Sequence, residues 1–291
     1  MSVILPAVLP VFITALIGYG LAKANRPFDN KTITFLVASI GTPSLVFFNL
    51  ANTTVAPGAL ATIAAATAVA VGFYLAVGAI ALRVLGLKGN TFLPSLAFPN
   101  AGNLGLPLAL YAAGQEGLNY AIVIFAITSI LNLTAGQAIA AGKNNWLAVM
   151  RSPILPAVAL GLLFAYGDIP IPLWATNTLE MLSGLTIPLM LLMLGTSLAK
   201  IQVTTFGRSA ILSVVRIGMG TIAGFTLAAL FGFTGPERIA FVLQCAMPVA
   251  VFNYVFAQMY DNEPGEVASL VVVSTLLSVV TTPIILAVLA P

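Results

Sequence analysis

Phe98-Pro99-Asn100-Ala101-Gly102-Asn103-Leu104-Gly105-Leu106-Pro107 lies in the middle of an apolar segment that runs from about Thr91 to Ala113. A segment of that length spans a bilayer as a helix. A spanning helix must satisfy its own backbone polar groups, because lipid offers them no partners. Two prolines, two glycines and two asparagines within this stretch work against that. Each proline removes a donor and crowds the preceding turn, and glycine lowers the cost of a non-helical backbone. The helix is predicted to break near the membrane midplane, around Gly102, Gly105 and Pro107. Such breaks survive only inside protein or beside a wet cavity, and in secondary transporters they hold the substrate.

The rest of the chain is read around this break. It has 291 residues, 60% hydrophobic and 7% charged, with a mean hydropathy of +1.08. Apolar stretches of about 20 residues recur from end to end, the pattern of an all-α polytopic membrane protein in a lipid bilayer. Val3 to Ala22 has no basic n-region and is followed directly by more spans, so it reads as a retained helix and not a cleaved signal peptide. A formal charge of +3 gives no reason to expect a nucleic-acid partner. Cys245 is the single cysteine and there is no histidine. An internal disulfide and a Ser-His triad are therefore excluded, and a zinc site lacks ligands. No cofactor is expected.

Ten spans are predicted, at 3–22, 32–50, 59–82, 91–113, 119–140, 153–167, 173–198, 210–232, 239–260 and 267–290. The sixth is short and is expected to extend into its flanking loops. Loops after odd-numbered spans carry Lys23, Arg26 and Lys31, then Arg83 and Lys88, then Lys143 and Arg151, then Lys200 and Arg208. Lys and Arg mark the cytoplasmic side, which places both termini outside an inner (plasma) membrane. The loop after span 9 is acidic, with Asp261, Glu263 and Glu266, yet falls on the cytoplasmic side; acidic residues weigh little in this rule.

The two halves echo each other. Leu5-Pro6-Ala7-Val8 recurs as Leu155-Pro156-Ala157-Val158, Thr42-Pro43 matches Ile187-Pro188, Phe98-Pro99 matches Met247-Pro248, and Thr128-Ser129 matches Ser274-Thr275, all at offsets between 145 and 150. Four ordered matches at one spacing indicate an internal repeat. With five spans in each half, residues 1–150 and 151–291 would enter the membrane in opposite senses, a 5+5 inverted repeat. Spans 4 and 9 are then two broken helices that cross near the bilayer centre.

These residues resemble the auxin efflux carrier family over essentially the whole chain. The resemblance rests on Leu16-Ile17-Gly18-Tyr19-Gly20 in span 1 and on Pro99-Asn100 followed by Gly105-Leu106-Pro107 in span 4. It continues with Pro188-Leu189-Met190-Leu191-Leu192 and Gly195 in span 7, and with Met247-Pro248, Asn253, Val255-Phe256-Ala257 and Tyr260 in span 9. The family includes plant auxin transporters and bacterial carriers proposed to move malonate, malate and similar anions. The resemblance implies a fold like that of bile-acid/sodium symporters and NhaA-type antiporters. It further implies a scaffold of spans 1, 2, 6 and 7, a mobile core of spans 3–5 and 8–10, an elevator mechanism, and a homodimer formed through the scaffold. Asn100 matches the crossover asparagine that the family sets near the substrate carboxylate. At Asn253 plant members carry a second proline where bacterial ones often carry asparagine, which speaks against an auxin-specific pocket. The long loop of many plant members is reduced here to about Gly142–Ser152.

The candidate substrate-binding residues are Asn100, Asn103, Asn253, Pro99, Pro248, Val46 and Asn49. Asn100 and Asn103 could instead be breakers whose amides cap freed backbone groups, and packing explains Val46 and Asn49 equally well on spacing. No Lys or Arg is expected at the centre of any span, so half-helix N-termini, with their unpaired N–H groups, are left to attract an anion. Arg216, about two turns beyond Arg208, reads as a snorkelling side chain. Glu180, near the outer end of span 7, reads as an interfacial carboxylate and is the candidate if transport is proton-coupled. The function expected is secondary transport of small organic anions. The alternatives are proton- or sodium-coupled symport of another solute, a channel, or an intramembrane enzyme. The last would need paired deep aspartates, and Asp29, Asp168 and Asp261 all sit at span ends.

Overall fold

Proline and glycine decide where the helices of this chain stop, widen or turn. The computed structural model describes residues 4–142 and 152–289. Lys143, Arg151 and most of the loop at 142–152 lie outside the described residues. Helix α1 is Ile4–Lys23. Helix α2 is Asn30–Ala51, started by Asp29, whose carboxylate accepts from the backbone of Lys31 and Thr32. The Thr32 hydroxyl, and then those two backbone N–H groups, hold this exposed carboxyl below the usual carboxylate range. Midway, Val37–Gly41 opens into a π-helical turn in which the N–H of Thr42 bonds the carbonyl of Val37. Pro43 explains it: its ring crowds the carbonyl of Ser39, and a widened turn relieves the clash.

Helix α3 is Pro57–Val84 and α4 is Gly89–Ala97. The helical run Ala101–Ala141 holds a non-helical residue, Gly114, at φ 66 and ψ −161. Only glycine adopts that conformation without strain. The run is therefore two helices, α5 over residues 101–113 and α6 over residues 115–141. The turn falls on a single residue, where the sequence suggested a loop of several. The remaining helices are α7 (Ile154–Tyr166), α8 (Leu173–Lys200), α9 (Phe206–Leu230), α10 (Gly235–Cys245), α11 (Val251–Met259) and α12 (Pro264–Leu289). Helix α7 is no longer than its apolar run; the expected extension into the flanking loops is absent. Among the described residues there is no β-strand, and seven helical stretches are long and apolar enough to cross a membrane.

The outward faces are apolar. Leu5, Leu16, Trp174, Ile222, Leu276 and Ile284 are all exposed. Polar side chains such as Ser95, Asn100, Ser213, Gln244 and Asn253 are buried instead. That inversion suits a chain solvated by lipid.

Helix α1 packs along α8, and α2 packs against α7 and α8. The α1–α8 approach depends on two glycines. A Cβ at Gly195 would overlap the Ala15 carbonyl, and one at Gly18 would overlap that of Leu192. Helices α3 to α6 and α9 to α12 pack among themselves around the interruptions after α4 and α10.

The acidic loop before α12 sits at the same end of the molecule as the basic loops. Lys88 pairs with Glu263 at 2.7 Å and Arg208 with Glu266 at 2.8 Å. Asn262 adds a bond from its amide to the Ala140 carbonyl at 2.7 Å. The opposite end is closed by other contacts. Gln115 donates to Asn49, Asn119 donates to the Thr53 hydroxyl at 3.1 Å, and Tyr166 donates to the Val55 carbonyl at 2.7 Å.

Candidate functional site

Two short extended segments, one after α4 and one after α10, meet side by side inside the helix bundle. Pro99 and Val249 form an isolated antiparallel bridge. The N–H of Asn100 donates to the Pro248 carbonyl at 2.7 Å, and that of Ala250 donates to the Phe98 carbonyl at 3.4 Å. Here the prolines do two things. They end helical hydrogen bonding, and their neighbours' freed N–H and C=O groups find each other across the pair. The bonds left over go to side chains. The N–H of Val249 donates to the Ser274 hydroxyl at 3.1 Å, and Gln244 donates to the Ala101 carbonyl at 3.3 Å. Buried backbone groups are rarely left unpaired, and these bonds pair several of those the breaks set free.

Helix α5 starts from Asn100, whose Oδ1 accepts the N–H of Asn103 at 3.3 Å, an N-cap bond. The first turn, Ala101–Gly105, is π-helical. Pro107 crowds the carbonyl of Asn103 as Pro43 does that of Ser39. Gly105 lies against the side-chain amide of Gln244, which would have to move to admit a Cβ there. The cap bond uses only the oxygen of Asn100. Its Nδ2 is buried without a partner among the described residues. An orphaned buried donor is costly, and a residue that carries one in a pocket wall can receive an acceptor.

The wall in question belongs to a cavity of about 720 Å³, within the range of small-molecule sites. The starts of both interrupted helices line it, Pro99 to Asn103 from α5 and Ala250, Val251 and Phe252 from α11. Phe125, Met190, Met193 and Val255 supply apolar wall, and Thr128, Ser129, Asn132 and Tyr254 supply polar wall. The cavity runs on to Asn30, Ser197 and Lys200, so its mouth is at the basic end. Lys200 is the one cation, and there is no carboxylate, among the described lining residues. Helix N-termini carry roughly half a positive charge each and favour anions.

Of the residues singled out from sequence, Asn100, Asn103, Pro99 and Gly102 share this cavity. Pro248 pairs with Asn100 just outside the lining. Asn253 is buried beside the cavity, donating to the Phe98 carbonyl at 3.1 Å, with its Oδ1 unpaired among the described residues. Val46 and Asn49 are buried away from it. Asn49 donates to the Leu45 carbonyl at 2.7 Å and accepts from Gln115. Gly105 and Pro107 shape the helix start without facing the cavity. Glu180 is exposed on α8 and remote from the lining.

One residue overturns its sequence reading. Arg216 does not snorkel: it is 0% exposed. Its Nη1 donates to the Leu96 carbonyl at 3.1 Å and its Nη2 to the Cys245 carbonyl at 2.8 Å. The guanidinium lies 4.6 Å from the centre of the Tyr74 ring, a cation–π contact. A cation does therefore sit at the level of the helix interruptions. Gly220, one turn along α9, lets this happen, because a Cβ there would overlap the Cys245 carbonyl. The sequence signal was Arg216, Gly220 and Gly224 at four-residue spacing, one face of a helix cleared for close approach.

Comparison with known proteins agrees with a transport role. The profile of a membrane transport protein family matches the chain twice, over residues 3–150 and over residues 137–286. An uncharacterized transporter of Methanocaldococcus jannaschii is 27% identical over 296 residues, covering 93% of this chain and 94% of that protein. An uncharacterized transporter of Methanothermobacter thermautotrophicus is 26% identical over 291 residues, covering 95% of each.

Proposed function

The chain belongs to the membrane transport protein family, the auxin efflux carriers that its motifs resemble, and on that premise we propose that it is a secondary transporter of small organic anions that works by elevator-type alternating access. The observation that carries the reading is Asn100. Asn100 lines the cavity at the cap of a half-helix whose positive end borders the same space, and its amide Nδ2 is buried with no partner among the described residues. A carboxylate there gains a neutral donor and two favourable helix ends. It does so without a cationic side chain stripped of water in direct contact with it.

The architecture proposed is a 5+5 inverted repeat of ten segments, with α4–α5 and α10–α11 as the two broken crossing helices. Its support is the pairing of Pro99 with Val249 and the separate match of each half to the family profile. The scaffold is α1, α2, α7 and α8, which pack on one another, and the mobile unit is the remainder. With the basic loops in the cytoplasm, the cavity mouth at Lys200 makes this the inward-facing state.

The test is uptake into proteoliposomes with a panel of labelled mono- and dicarboxylates, indole-3-acetate and malonate among them, followed by counterflow. Saturable uptake with counterflow is expected. Uptake of none of the panel refutes the anion reading. Flux without counterflow refutes a carrier and indicates a channel.

A further inference from the structure

Each break in a helix frees two ends, and the cavity uses only one kind. The N-terminal ends of α5 and α11 line it. The C-terminal ends of α4 and α10 point carbonyls into the protein, away from water. Leu96 and Cys245 belong to the last turns of those helices. Their usual acceptance partners, four residues on, are Asn100 and Val249, whose N–H groups are spent on Pro248 and Ser274. Each such end carries about half a negative charge. Together they come to about one negative charge, which would offset the positive ends beside it.

Arg216 meets both ends at once. One guanidinium bonds Leu96 and Cys245 through its two terminal nitrogens, and its Nε has no partner among the described residues. An arginine stays protonated in proteins, and burying it fully is costly without strong partners. The partners it has are two helix ends and the face of Tyr74.

We propose that Arg216 sets the electrostatic sign of the crossing: it cancels the negative C-terminal ends of α4 and α10, leaves the positive N-terminal ends of α5 and α11 to act on the cavity, and so makes the site select anions over neutral molecules of the same shape. Arg216 does not line the cavity, so it is a positioning residue acting through the two helices. The proposal rests on the anion reading of the site given above and adds the residue that produces it. The same two bonds also join the half-helices mechanically. A purely mechanical tie would affect charged and uncharged ligands alike, and that difference separates the two roles.

The experiment titrates purified full-length protein, at neutral pH, with two pairs of probes. Indole-3-acetate is compared with indole-3-acetamide, and malonate with malonamide. The wild type is expected to hold at least one acid more tightly than its amide. Arg216→Gln is expected to lose about tenfold or more of that preference, from the acid side alone, as a unit charge acting through protein would require. Arg216→Lys keeps the charge and is expected to keep most of the preference. A folded Arg216→Gln variant with the preference intact overturns the proposal while leaving the anion reading standing. If Arg216→Gln does not fold, Arg216→Lys decides: a folded lysine variant that has lost the preference overturns the proposal, and one that retains it supports the charge role. A wild type with no preference for either acid overturns the anion reading itself, and the present proposal falls with it.

Discussion

The side-chain amide of Asn253 donates to the carbonyl of Phe98 at 3.1 Å, which ties the first turn of α11 to the residue that ends α4. The same carbonyl accepts the N–H of Ala250 at 3.4 Å. Both of its lone pairs are thus filled from the partner segment. Together with the bond from Asn100 to Pro248, these contacts make the two interruptions one unit. The start of α5 cannot shift without moving the start of α11.

Asn253→Ala is therefore expected to act on stability more than on binding. It removes one buried hydrogen bond, worth about 0.5–1.5 kcal/mol net. The melting temperature should fall, and substrate affinity should change less than in Asn100→Ala. Thermal denaturation and a binding titration on the same preparation check this. An affinity loss larger than that of Asn100→Ala would make Asn253 the principal ligand.

Gly195 and Gly184 lie on the same helix and should respond oppositely to alanine. A Cβ at Gly195 meets the carbonyl of Ala15, whereas one at Gly184 meets nothing within 4 Å. Gly195→Ala forces α1 and α8 apart, at an overpacking cost of about 1–3 kcal/mol. Gly184→Ala gains helix propensity of up to about 1 kcal/mol. Melting temperatures of the two variants should bracket the wild type. Equal shifts would show that α1 and α8 do not pack as closely as described.

How the end of the molecule opposite Lys200 opens is a third matter. Among the described residues, few polar contacts join α2 and the turn after it to the start of α6 there, from Gln115 to Asn49 and from Asn119 to Thr53. In the alternating-access reading, these bonds exist in one state and break in the other. Removing both with Gln115→Ala and Asn119→Ala should favour opening by about 1–3 kcal/mol, or roughly 5- to 150-fold in the equilibrium. Ser129, in the cavity wall, offers a reporter. A Ser129→Cys variant should label faster from that side with an impermeant maleimide once the bonds are gone. Native Cys245 is buried and should stay silent. An unchanged labelling rate would show that these contacts are not a latch.

The residues that interrupt helices announce themselves in the sequence; those that complete the site do not. Pro99, Asn100, Gly102 and Pro107 mark a break because proline and glycine act on their own backbone, whatever packs nearby. Pro43 marks its widened turn for the same reason. The burial of Arg216 is hidden in the sequence because its partners, Leu96 and Cys245, contribute backbone carbonyls, which no residue pattern advertises. Its nearness to Arg208 in sequence suggested the interface, and only the glycines at 220 and 224 hinted at burial. Val46 and Asn49 lie on α2, as their position after Pro43 implies, but which face of α2 meets the cavity is decided by α6 and α7, which lie far along the chain. Spacing after a single proline carries no information about them.

Asn100 bears the most direct prediction. Its Oδ1 caps α5 through Asn103 at 3.3 Å, and its Nδ2 has no partner among the described residues. Alanine removes both functions at once, and they differ in what they should cost. Loss of an N-cap destabilises by about 0.5–2 kcal/mol. Here the figure belongs at the low end, since the cap bond is long and the first turn is π-helical. Loss of a hydrogen bond to a charged group costs about 1.5–3 kcal/mol of binding, which is roughly 10- to 150-fold in affinity. Asn100→Ala should therefore fold with a modestly lower melting temperature and transport poorly. Asn100→Asp separates the two functions further. It keeps an acceptor for the N–H of Asn103 but replaces the free donor with a carboxylate oxygen, so it should keep the cap and repel an anion. Uptake, affinity and melting temperature, measured for both variants in one lipid composition, decide the matter. A well-folded Asn100→Ala with wild-type affinity and turnover would mean that Asn100 lines the cavity without holding what passes through it.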